Sequence, residues 1–164
     1  MNKVPSAEED ALGHVVQADE DIRSGKLRQL WRYWLSLRKD GALPARRDVD
    51  PLQIPLLLPH VMLVEALPDE QDFRYRLVGT HIARIHGADN TGKCVSECFA
   101  PRECAQVVVL YRRTVREVAV IVHRGRPRRR DNRLLDYEIV HMPLADGNGQ
   151  VAMILAGLEF TFTR

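Results

Sequence analysis

The segment Asp72–Lys93, DFRYRLVGTHIARIHGADNTGK, leaves the chain few ways to fold. Phe73–Val78 alternates aromatic or apolar residues with arginines, the period of a half-buried strand. Gly79 breaks that strand. Thr80 is placed to cap a short helix with Ile82 and Ile85 on one side and Gly87 after its last turn. Asp89-Asn90-Thr91-Gly92 then supplies a second turn. A strand that runs straight into glycine-broken helical pieces cannot continue as a long rod. It predicts the wall of a small cavity laid against a sheet.

The remaining elements follow from period and punctuation. The clearest helix is predicted near Ile22–Lys39, started by Asp21 or Ser24 and stopped by Gly41 and Pro44. Leu27, Leu30, Trp31, Trp34 and Leu35 fall on one stripe of it. That stripe either docks on the domain's own sheet or makes a subunit contact. Asp50-Pro51 reads as a helix start with proline at the first position. His60–Leu67 is apolar on both faces and suits an interior strand, which forms a hairpin with Phe73–Val78. Pro101 leads a second long helix, Arg102–Val118, with Cys104, Val108, Tyr111, Val115 and Val118 on one face. Three strands close the chain: Ala119–His123, Leu135–Leu144 and Gln150–Phe160, the last two joined by the turn Asp146-Gly-Asn-Gly149. Strands at both ends with helices between them predict an α+β domain on a five-stranded antiparallel sheet, with a helical connector on one face and an N-terminal amphipathic helix.

At 164 residues the chain has room for one such domain and a short extension. Residues 1–21 read as a flexible acidic arm, 22–41 as the N-terminal helix and 42–164 as the domain. No apolar run approaches the length of a membrane span, the start lacks the zones of a signal peptide, and the three cysteines are an odd number. These features point to the cytoplasm. Charge is uneven: Met1–Asp21 holds one lysine against six acids, and Arg124–Arg133 holds six arginines against one aspartate. The basic segment lacks interleaved aromatics and lies between two strands, so an exposed loop or a protein contact is preferred to nucleic acid.

The order of elements resembles a PAS domain, and the motifs narrow the resemblance. The Trp31/Trp34 helix, Leu43-Pro44, Asp50-Pro51, Leu58-Pro59-His60, the run Tyr75-Arg76-Leu77-Val78-Gly79-Thr80 and Thr91-Gly92 appear in the order found in PAS_5, a family of small single-domain PAS proteins of proteobacteria. Met142-Pro-Leu-Ala-Asp-Gly147 resembles its closing hairpin. The resemblance covers roughly Lys26–Phe160. It implies a non-enzymatic sensory or protein-interaction module, signalling through its N-terminal helix to an unidentified protein partner. It also implies a homodimer, and a possible small-molecule ligand between sheet and connector. With no output domain on these residues, the signal is expected to leave by a non-covalent contact.

Candidate ligand anchors are Tyr75, Arg76, Thr80, His81, His86 and Tyr111. The Arg76 guanidinium has the forked donors that match a carboxylate or phosphate, unless it lies on the outer face paired with an acid. Tyr75 serves either packing or ligand contact. The sequence requires no cofactor. Haem needs an axial histidine, cysteine or similar donor; His81 and His86 lie in the right region, but a lone helix histidine is usually solvated or simply hydrogen-bonded, and the cysteine motif of flavin photochemistry is missing around Cys94 and Cys98. Cys94, Cys98 and Cys104 lack the paired spacings of zinc sites and read as buried free thiols. The alternative function is a small cavity enzyme with His81, His86 or Glu65 as general base; Glu65 and Glu159 are its candidate carboxylate pair.

Overall fold

The computed structural model of the protein describes residues 12–126 and 135–162. Six strands form one antiparallel sheet: β1 (His14–Val15), β2 (Val61–Ala66), β3 (Phe73–Val78), β4 (Ile121–Gly125), β5 (Leu135–Ala145) and β6 (Val151–Phe162). Their spatial order is β1-β4-β5-β6-β2-β3. The helices are α1 (Gly25–Ser36), α2 (Thr80–His86), α3 (Val95–Cys98) and α4 (Pro101–Glu117). The α+β antiparallel layout is the one read from the sequence, with one strand more. β1 lies within the segment read as a flexible arm. Its two residues pair with β4, Val16 donates its N–H to the Val120 carbonyl at 2.8 Å, and the Arg113 guanidinium ties down the carbonyls of Leu12 and Gly13 at 2.6 Å each. Residues 1–11 lie outside the described residues.

Each strand's alternation feeds two separate cores, one on each face. On the outer face, Val61 and Leu63 of β2, Val140, Met142 and Leu144 of β5 and Leu155 of β6 meet Leu27, Leu30, Trp31 and Trp34 of α1. Ser24 caps α1, its hydroxyl accepting from the Leu27 N–H at 3.3 Å. Gly157 lets α1 lie close: a Cβ there would stand 2.6 Å from one Leu30 methyl and 2.8 Å from one of Leu27. The Trp34 indole N–H donates to the Pro143 carbonyl at 3.0 Å. Proline is harmless at that point of β5 because β4 has ended, its last pair being Ile121 with His141. The double-tryptophan stripe is therefore used inside the chain. Leu27, Leu30, Trp31 and Trp34 are buried and offer nothing to a second subunit, which corrects their assignment as contact residues; only Leu35 of that set is exposed, at 38%.

On the inner face, Met62 and Val64 of β2, Phe73 and Tyr75 of β3 and Ile154 and Ala156 of β6 pack against Ile82 of α2, Val95 of α3 and Val108 and Tyr111 of α4. The turn from β3 into α2 is made by Gly79, which occupies the cap position in place of Thr80. A Cβ on Gly79 would fall 2.3 Å from the Pro59 carbonyl oxygen, so no larger residue fits. Asp50 caps the 3-10 turn Pro51–Gln53 by accepting from the Leu52 N–H at 2.9 Å. The Asp146 carboxylate holds the β5–β6 turn through the N–H groups of Asn148 and Gln150. Val118 takes a left-handed conformation, φ 50°, that ends α4 and leaves its side chain exposed instead of on the buried face.

Candidate functional site

Strand parity decides which side chains face the connector. Tyr137, Ile139 and His141 of β5, His123 of β4 and Leu158 and Phe160 of β6 share the inner side with Tyr75 and with Tyr111 of α4. Together they line a cavity of about 1060 Å³, completed on the connector side by residues that include Ile82, Ile85, His86, Asn90, Phe99 and Val107. The cavity lies where the glycine-broken segment predicts it, between the sheet and the helices that follow β3.

Its buried end is built from rings. The hydroxyls of Tyr75 and Tyr111 lie 3.3 Å apart, and Phe73 and His141 flank Tyr111 with ring centroids at 5.2 Å each, His141 edge-on. Burial, reinforced by the neighbouring Tyr111 hydroxyl, raises the Tyr75 phenol far above its ordinary range, and burial pushes Tyr111 up to about 12. His141 is 1% exposed. Burial, with a smaller push from His123, lowers its pKa to about 3, so its ring is neutral at pH 7. Its Nδ1 has no hydrogen-bond partner among the described residues. Nearer the sheet edge, the Tyr137 hydroxyl contacts His123 Nδ1 at 3.3 Å, and burial raises the Tyr137 phenol as well.

The opposite side of the same two strands holds the start of α1. Glu138, between Tyr137 and Ile139, is buried on the outer face and accepts the backbone N–H groups of Arg23 at 3.0 Å and Ser24 at 2.7 Å. Arg124, next to His123, donates to Glu138 at 2.6 Å and to the Asp21 carbonyl at 2.5 Å. One ion pair thus fixes the entry to α1 onto β4 and β5 at the level where those strands line the cavity. Arg124 is thereby removed from the basic loop read from sequence, and Arg126 pairs with Asp136. Residues 127–134 lie outside the described residues.

Of the anchors named from sequence, Tyr75, His86 and Tyr111 line the cavity. Arg76 does not. It points to the outer face and pairs with Glu65 at 2.6 Å, because the arginine parity of β3 is opposite to the Phe73/Tyr75 parity. Thr80 is exposed at the first turn of α2. His81 stacks on His60, ring centroids 4.5 Å apart, and its pKa is lowered by burial first and by His60 second. His60 in turn lies 3.3 Å from Lys26 Nζ and 3.7 Å from Glu159. Glu65 and Glu159 do not meet: the β2–β6 register puts Glu65 opposite Met153, and Glu159 beyond the other end of the pair. Cys94, Cys98 and Cys104 are free and half-buried, and burial raises the thiols of Cys98 and Cys104.

Sequence reasoning missed His123, Tyr137 and His141, which supply much of the cavity's polar lining. The signal was present: each is a polar ring on a strand, and Tyr137 and His141 share the parity of Ile139. It also missed Glu138, for which an acid between Tyr137 and Ile139 gave no sign of its two backbone donors.

No curated protein matches the chain. Among solved structures, it is similar to a sensory box histidine kinase/response regulator from Burkholderia thailandensis E264, at 13% identity over 68% of this chain and 85% of that one, with a TM-score of 0.42. It is also similar to an RNA-binding light-oxygen-voltage receptor, at 14% identity over 75% of this chain, with a TM-score of 0.44; this chain spans 37% of that receptor. The profile of the PAS_5 family, described as a PAS domain, matches residues 22–159, which take in α1, the whole connector and β2 to β6 up to Glu159. The chain belongs to the PAS_5 family of PAS domains.

Proposed function

We propose that this chain is a sensory PAS module that holds a small molecule in the cavity between sheet and connector and transmits its presence to α1. The supporting observation is the double use of β4 and β5. Their inner side lines the cavity through His123, Tyr137 and His141, while Arg124 and Glu138 on the outer side grip the Asp21–Ser24 backbone. Packed strands move as units, so a ligand that shifts Tyr137 also shifts the acceptor of the α1 entry. From α1 the change passes to a partner protein, a second copy of this chain included. Because the tryptophan stripe is internal, that partner meets other surfaces, among which Leu52 and Leu56 stand out as exposed leucines. Their loop is joined to α1 where the Tyr33 hydroxyl accepts the Asp50 N–H at 2.9 Å.

The enzyme reading has less support. Of His81, His86 and Glu65, only His86 reaches the cavity, and its ring contact there is with Phe99.

Hydrogen exchange read by mass spectrometry tests the proposal. The protein is stripped of small molecules by unfolding and refolding, then loaded from a cell extract of small molecules. Loading should slow or quicken exchange in Gly25–Leu30 of the natural chain and leave it unchanged in Glu138→Ala. A molecule retained in the cavity with no effect on α1 in the natural chain would sink the signalling route.

A further inference from the structure

The cavity's chemistry narrows what it accepts. This step rests on the proposed ligand site and names its class. Three features decide it. First, the ionisable groups at the buried end are uncharged at neutral pH: Tyr75 and Tyr111 hold their protons, and His141 has lost its second one. Second, among the described residues the charged side chains along the lining are either paired or outward. Arg124 is taken by Glu138 and Arg126 by Asp136; Glu159 shares the outer parity of Gly157 and lies 3.8 Å from Lys26 and 3.7 Å from His60, while Arg23 and Glu103 are exposed. Third, hydrogen-bonding capacity is left over at the buried end. His141 Nδ1 has no partner among the described residues, and the Tyr75–Tyr111 contact of 3.3 Å is longer than a settled hydroxyl pair. A buried polar atom without a partner is costly, and a ligand that supplies one recovers that cost.

We infer that the cavity takes an uncharged aromatic compound bearing a hydroxyl or ring N–H, with its ring among Tyr75, Phe99, Tyr111 and Phe160 and its polar group at His141. An anion or cation of the same shape would surrender its hydration without meeting a free counter-charge at the buried end among the described residues. Ring-to-ring packing with the lining side chains favours a flat body over a flexible aliphatic one.

The test uses three probes with one ring system: 2-naphthol, which is neutral at pH 7, 2-naphthoate, an anion, and 2-naphthylmethylammonium, a cation. Each is titrated into the full chain labelled with ¹⁵N-histidine, and binding is read from the histidine ring resonances and by calorimetry. 2-Naphthol should move the His141 ring signals and bind at least about tenfold more tightly than either ion. His141→Phe, which keeps a ring and removes both nitrogens, should weaken 2-naphthol about fivefold. Tyr111→Phe is the second variant should the first fail to fold, and should weaken it to a similar degree. Ions that bind as well as 2-naphthol, while moving the same cavity signals, overturn the ligand class and leave the cavity reading standing. Probes that move no cavity signal, or do not bind, overturn the cavity reading and this inference with it.

Discussion

The two faces of the sheet are drawn from the same strands and have opposite characters. The outer face is closed by α1, with leucines and tryptophans filling the space down to Gly157. The inner face is covered by helices broken at Gly79 and Gly87, which leave a cavity lined with tyrosines and histidines. The outer face spends its apolar area on stability. The inner face keeps polar rings at the wall of its cavity, with the Tyr75–Tyr111 contact long and His141 Nδ1 without a partner among the described residues. Stability and recognition are thus divided across one layer about as thick as a strand.

That contrast can be broken by substitution. Trp34→Ala should cost the most, about 3–5 kcal/mol in urea unfolding, because it opens a cavity in the closed face and orphans the Pro143 carbonyl; a loss under ~1 kcal/mol would mean the outer face is not the stabilising one. Glu138→Ala should cost about 3 kcal/mol by the same measurement, since it leaves Arg124 and two backbone N–H groups without their acceptor.

On the inner face the effect should be one of pH. The unfolded His141 ring protonates near its ordinary value of 6.5, the folded one only at about 3. The unfolded state therefore takes up a proton first, and stability present above pH 6.5 is lost as pH falls toward 3, at about 1.4 kcal/mol per pH unit inside that window. His141→Phe should flatten that share of the acid limb and leave stability at pH 7 nearly unchanged; an acid limb identical in both proteins would mean His141 is not buried neutral. The smallest effect belongs to Arg76→Ala. Its pair with Glu65 is half-exposed on the open end of the outer face, so the loss should stay below about 1 kcal/mol, with 2-naphthol binding untouched.

How far the sequence could be read follows the same division. Periodicity and size revealed the closed face: the tryptophan stripe, the alternation of Phe73–Val78, whose bounds coincide with β3, and the Asp146–Gly149 turn all depend on neighbours close in the chain. β1 was not legible. Two residues have no period; what holds them is pairing with β4, and the residues just before them, Leu12 and Gly13, are tied by a guanidinium a hundred positions away, at Arg113. The inner face was half legible. Tyr75 and Tyr111 stood out as rings on buried parities, whereas His123 and His141 looked like interruptions in apolar strands until the pairing of β4 with β5 set them on one side. Arg76 attracted attention for its chemistry, although the parity it shares with Arg74 already set it on the other side of β3 from the Phe73/Tyr75 parity.

The location of the indoles has a practical corollary. The chain has two tryptophans, Trp31 and Trp34, and both lie beneath α1 with the whole sheet between them and the cavity. No molecule seated among the tyrosines touches either one. Any change in tryptophan emission on adding a compound to the cavity would therefore report motion relayed through the strands rather than direct quenching, giving this protein a built-in optical reporter of whether its two sides communicate.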